Sequence, residues 1–167
     1  EQPLEAFLDR FLGADVDVGG GLVEDQDARV GQQGAGEGDE LALAGGDIDE
    51  GDLLALADDA LQGRNNNTSG SLAAQDYIIG ALQAMDAAGL DTGHTGDAAY
   101  KQPFVQSGQN GTNILAVIPG SELPNEYVIV GAHYDHVASC RTVEVGDTVC
   151  NGATDNAAGV TAALAIG

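Results

Sequence analysis

The chain has 167 residues, 43% of them hydrophobic, with 3 Phe, 4 Tyr and no Trp, so its core must be built mainly from Ala, Val, Leu and Ile. That length suits one domain of ordinary size. A net charge of −22, from 27 acidic against 5 basic residues, argues against nucleic acid or an anionic membrane as a partner, since both need basic patches.

In chain order, residues 1–46 give no coherent fold signal. Leu4, Phe7, Leu8 and Phe11 fall on one face of a short helical stretch from Pro3 to Leu12. The Gly-, Asp- and Glu-rich stretch after it holds few large apolar residues, and too little buried surface to offset chain entropy predicts disorder. Residues 1–60 carry 17 acids and 2 bases, against 10 and 3 in residues 61–167, so two kinds of sequence are joined. The acidic residues Asp15, Asp17, Glu24, Asp25 and Asp27 lack the spacing of a calcium loop and read as a solvated segment. This stretch also resembles an out-of-frame translation of GC-rich DNA. The chain begins at Glu1 rather than Met, and neither a signal peptide nor a run of ~18 apolar residues is visible.

A regular pattern begins at Asp47, which makes 47–167 the folded part. Asp49 or Asp52 is placed to cap a helix whose apolar residues Leu53, Leu56, Ala57, Ala60 and Leu61 recur at three and four, with Gly63 as the stop. The loop RNNNTSG follows. Ser71 then opens a second helix with Ile78, Ile79, Leu82 and Met85 on one side, ended by Gly89. Residues 90–111 read as a loop with one edge strand near Tyr100 to Val105. Two strong strand signals come next, Ile114–Ile118 and Tyr127–Ala132, joined by a connection of hairpin length. Their unbroken apolar character predicts strands covered on both faces, hence an α/β fold with a three-layer α/β/α sandwich. The last segment, from Asp155 as its cap, reads as a small-residue helix. On this reading the chain holds only the N-terminal portion of that sandwich.

Two segments carry chemistry. GAHYDH ends a strand with His133, Asp135 and His136, and alternation puts His133 and Asp135 on the same side. An imidazole at a strand end suits a metal ion, and a carboxylate two residues on can orient the ring and raise its basicity. In NGATDNAAGV, Asp155 stands between a glycine-containing loop and a helix start, where its two oxygens can reach two metal ions.

Taken together, GAHYDHV followed by GATDNAAGV closely resembles the co-catalytic di-zinc aminopeptidase family, which includes secreted bacterial leucyl-type aminopeptidases and is related to glutamate carboxypeptidase and the transferrin receptor ectodomain. LADDALQGRNNNTSGS, AAQDYIIGALQAMDAAGL, YKQPF and GTNILAVIPG extend the likeness over roughly residues 50–167. The resemblance implies a zinc-peptidase sandwich with a mixed sheet, two Zn2+ ions in the complete enzyme and a peptide as substrate. His133 would ligate one zinc, Asp155 would bridge both, and Asp135 would be the catalytic-site acid that orients His133. Asn156 follows the bridging acid as in the family, whose relatives have a cis peptide at that bond. The family's Glu-Glu pair, with its general base, has no counterpart here, and no Glu or His follows Asp155. The chain alone is therefore expected to bind zinc weakly and to hydrolyse nothing. A full site would remove N-terminal residues from peptides.

Two other readings compete: a non-catalytic binding module of the same fold, and a gene fragment with no function of its own. His136 reads as structural, His94 as a solvated loop residue, and Arg64 as a salt-bridging residue of the fold without a catalytic role. Asn66-Asn67-Thr68 and Asn110-Gly111-Thr112 fit the N-glycosylation pattern, which short sequences meet by chance. Cys140 and Cys150 lie in one polar loop, spaced too widely for a CxxC motif, and predict a structural disulfide, with free thiols the alternative. A disulfide places the protein outside the cytosol, and so does the resemblance.

Overall fold

The computed structural model describes residues 49–138 and 148–166. The acidic N-terminal segment and Cys140 lie outside the described residues.

Asp49 accepts a hydrogen bond from the Gly51 amide at 2.7 Å and caps helix α1, Glu50–Leu56. The single helix expected as far as Gly63 is broken. Ala57 ends α1, and Asp58 caps a separate 3-10 segment, Asp59–Arg64, by accepting from the Ala60 amide at 2.8 Å. A second capping carboxylate inside the apolar stripe restarts the chain in a new direction. Helix α2 covers Ser69–Ala84, and its cap is Thr68 rather than Ser71. The Thr68 hydroxyl accepts from the Ser71 amide at 3.2 Å, so Ser71 is spent as a donor inside the first turn. The helix ends at Met85, followed by Asp86 at φ 58°, well before the expected stop at Gly89.

Strand β1, Ala88–Gly89, pairs antiparallel with β4, Ala116–Val117, and β2, Lys101–Gln106, pairs antiparallel with β3, Gln109–Ile114. The expected edge strand is thus β2. Its partner is a stretch rich in Asn, Gly and Thr that reads as loop. Ser107 and Gly108 both take positive φ, 50° and 78°, which matches the twist of a tight hairpin and sets the register Gln106 to Gln109. Pairing across this turn overrides weak local propensity.

The predicted strand over Tyr127–Ala132 joins no ladder among the described residues, and no two-strand hairpin is built through the connection before it. Val128 is 93% exposed, although the sequence reads it as covered on both faces. A strand is stabilised through the neighbour that pairs its backbone and the layers that cover its faces, and among the described residues this run has no pairing strand. Residues 120–127 belong to a separate compact unit, in which the Glu126 amide closes a turn on the Leu123 carbonyl at 3.0 Å. The described chain therefore mixes helices with two small antiparallel sheets.

The last helix, α3, is Ala158–Ile166. Leu56 of α1, Ala74 and Ile78 of α2, and Val160 and Leu164 of α3 form one buried cluster, joined by Ala157. Leu53, Leu61, Leu82, Met85, Ile114, Ala132 and Tyr134 pack against it, so the three helical stripes meet on a common core. Cys150 is disulfide-bonded, in line with a structural disulfide.

Candidate metal centre

The core brings together two segments distant in sequence, 132–136 and 151–156. Gly152 turns the second of them with φ 60°, and a Cβ there would stand 2.7 Å from the His136 ring and 2.6 Å from the Asp155 carbonyl. Glycine alone allows so close an approach. The chain then extends through Asp155 at φ −130° and ψ 83°, and the Asp155–Asn156 peptide is cis, as the resemblance implied. Asn156, not Asp155, serves the helix start: its Oδ1 accepts from the Gly159 amide at 3.1 Å. The Asp155 carboxylate is turned instead toward two histidines.

His133 Nε2 lies 3.2 Å from Asp155 Oδ1, and His136 Nδ1 lies 3.5 Å from Asp155 Oδ2. On the other side of the ring, His133 Nδ1 is 3.0 Å from the main-chain oxygen of Asp135 and 3.5 Å from its carboxylate Oδ1. The nearer acceptor is thus the carbonyl, with the carboxylate just beyond normal hydrogen-bond length. Asn66 donates from Nδ2 to Asp135 Oδ2 at 2.9 Å. His133, Asp135 and Asp155, the three residues singled out by sequence, therefore converge, and His136, read as structural, stands with them. The signal for His136 was its place three residues after His133 in the same short segment.

The residue most undervalued by the sequence is Arg64. It is 1% exposed, and among the described residues its hydrogen bonds go to main-chain oxygens rather than to the carboxylate partner expected. Its Nε donates to Tyr134 O at 2.7 Å, Nη1 to Asn151 O at 2.7 Å and to Leu56 O, and Nη2 to Gly152 O at 3.0 Å. One planar group thereby ties α1 to both site segments. Burial pulls the guanidinium below its ordinary value, while the charges of Asp135 and Asp155 act the other way. Beside it, Gly63 at φ 73° passes so near Val137 O and Cys150 O that a Cβ would stand 2.6 Å from the latter. A lone basic residue after a glycine, in a strongly acidic chain, was the available signal.

Tyr134 completes the frame, donating its phenol proton to Thr112 O on β3 at 2.8 Å. His94 stands apart in an exposed loop, as expected, with Nδ1 2.8 Å from Asp91 Oδ2. That bond, helped by the Gly93 amide, holds the Asp91 carboxyl below the usual range.

The donor chemistry bears on a metal ion. The Asp135 carbonyl can only accept, so Nδ1 carries the proton on that side of the ring, and Nε2 faces a carboxylate oxygen 3.2 Å away. Two such donors repel unless a proton or a cation lies between them. Two donors of a tetrahedral zinc, bonded at ~2.0–2.2 Å, stand about 3.3 Å apart. The pair fits as part of a metal site. Among the described residues, no group of three or more His, Cys, Asp or Glu side chains forms a metal-holding cluster. No helix of the described residues is long and apolar enough to cross a membrane.

No solved structure matches the chain. A family model does match, that of Peptidase family M28, over residues 113–167, a stretch that includes His133, Asp135, His136 and Asp155. The match supports a likeness over this stretch to Peptidase family M28, a family of zinc-dependent metallopeptidases.

Proposed function

We propose that the chain contributes part of the active centre of a secreted di-zinc aminopeptidase, which removes N-terminal residues from peptides. The observation that carries this reading is the approach of His133 Nε2 to Asp155 Oδ1 at 3.2 Å. His133 would hold one zinc through Nε2. Asp155, whose second oxygen faces away toward His136, would bridge to the other. Asp135 fixes the His133 ring through its carbonyl and lends negative charge behind it. Bound there, a pair of zinc ions supplies Lewis-acid polarisation of the scissile carbonyl and activation of water. The chain's own residues orient the imidazole, hold a carboxylate with one oxygen toward each histidine and keep the two segments at a fixed separation.

On this reading residues 47–167 are part of a catalytic domain with a three-layer α/β/α architecture, and residues 1–46 are a segment outside that domain. The chain has no Glu-Glu pair to provide the general base, so it hydrolyses no peptide by itself. A plain imidazolium–carboxylate ion pair in a non-catalytic module is the second reading, favoured by the same 3.2 Å contact. Titration of the chain with Zn2+ separates them. The zinc reading expects binding of weak affinity that disappears in both His133→Ala and Asp155→Ala. Binding unaffected by these substitutions, or none at all, favours the ion pair.

A further inference from the structure

We propose that the loop from Arg64 to Asn66 is the positioning element of this centre, Arg64 setting the distance between its two segments and Asn66 setting the orientation of Asp135. The inference rests on the metal reading only for the nature of what is positioned.

Four N–H groups of Arg64 are spent on four main-chain carbonyls, and none on a carboxylate. Three of those carbonyls, of Tyr134, Asn151 and Gly152, belong to the site segments, two of them at telling places. Tyr134 lies between His133 and Asp135, and Gly152 lies three residues before Asp155. A guanidinium is rigid and planar, so accepting groups from both segments on one such plane fixes their separation in a way that a flexible ammonium could not. The loop itself is held in unusual backbone geometry, with Gly63 at φ 73° and Arg64 at φ 56°. Non-glycine residues rarely occupy that region, and it is retained where surroundings over-determine it. Asn66, two residues on, reaches Asp135 Oδ2 at 2.9 Å from an exposed position. That bond holds one oxygen and leaves Oδ1 facing the His133 ring. One short loop thus governs both the spacing of the segments and the direction of the acid behind the histidine.

The experiment uses the full chain with Asn66→Ala, Asn66→Asp and Arg64→Lys. Thermal unfolding, Zn2+ affinity and the ring-nitrogen chemical shifts of metal-free His133 at one fixed pH are measured, with His94 as internal reference. Asn66 is exposed, so Asn66→Ala is expected to keep the unfolding temperature within about 2 °C of the parent chain. It should move the His133 ring-nitrogen shifts while leaving those of His94 in place, and should weaken Zn2+ binding by about 10- to 100-fold. Asn66→Asp, which sets a like charge against Asp135, should move the His133 shifts further. Arg64→Lys should lower Zn2+ affinity at least as much as Asn66→Ala.

Folded Asn66 variants with His133 shifts and Zn2+ affinity equal to the parent would overturn the proposal. If the parent chain binds no Zn2+, the metal reading fails, and the positioning role is decided by the His133 shifts alone: moved, it stands; unmoved, it falls. If Arg64→Lys does not fold, the Asn66 variants decide in the same way.

Discussion

The helical stretch from Glu50 to Ala84 and the apolar run around Val128 look equally strong as sequence, yet they end in opposite states. In the first, Leu56, Ala74 and Ile78 recur at helical spacing and are buried against α3. In the second, Val128, Ile129 and Val130 are 93%, 59% and 50% exposed. The contrast lies in where the stabilising partner comes from. A helix satisfies its own backbone and needs a partner only for one stripe, whereas a strand needs a neighbour for its backbone as well. The site histidine follows directly on the less supported run. Its position is held by side chains instead: Arg64 grips the Tyr134 carbonyl, and the Tyr134 phenol grips β3.

If that is right, the largest loss comes from Arg64→Ala. Four carbonyls lose their donor, three of them in the site segments, and urea unfolding should report a destabilisation of about 3–5 kcal/mol. A loss under ~1 kcal/mol would mean that the segments are held by something other than this clamp. Next comes Leu56→Ala. Leu56 is fully buried at the meeting of the helices, and the same measurement should give about 2–4 kcal/mol.

A smaller effect is confined to alkaline pH. Tyr77 donates to Asp52 Oδ1 at 2.6 Å, linking α2 to α1, and the bond raises its phenol to about 12. A raised value means that this contribution is fully present below the ordinary tyrosine range near pH 10 and is lost as pH rises through about 12. Tyr77→Phe should therefore flatten the fall in unfolding temperature between those limits, and an unchanged pH profile would count against the bond. The smallest effect is expected at Val128, where Val128→Thr should change stability by less than ~0.5 kcal/mol, because the side chain has little burial to lose. A loss of 2 kcal/mol there would erase the contrast between the two regions.

The same contrast explains what was legible beforehand. Both early helices could be read from stripes at three and four, because that periodicity is local. Their ends could not, since Asp58 and Thr68 were competing caps with nothing in the sequence to rank them. Strand β3 was hidden because Gln109–Ile114 is strand only by pairing with β2 across Ser107-Gly108. At the site, residue type and spacing singled out His133, Asp135 and Asp155, and these side chains come together. The bond between Asn66 and Asp135 spans 69 positions and left no local trace. Arg64 was misjudged for a related reason: cations are expected to pair with carboxylates, and this one is satisfied by main-chain oxygens that no side-chain pattern reveals.

The most direct test of the account is X-ray absorption at the zinc edge on the zinc-loaded chain. The account predicts a first shell containing an imidazole nitrogen and a carboxylate oxygen at ~2.0–2.2 Å, with the imidazole signal lost in His133→Ala. A first shell of water oxygens alone, or an imidazole signal that survives His133→Ala, would contradict the assignment of His133 and Asp155 as metal ligands.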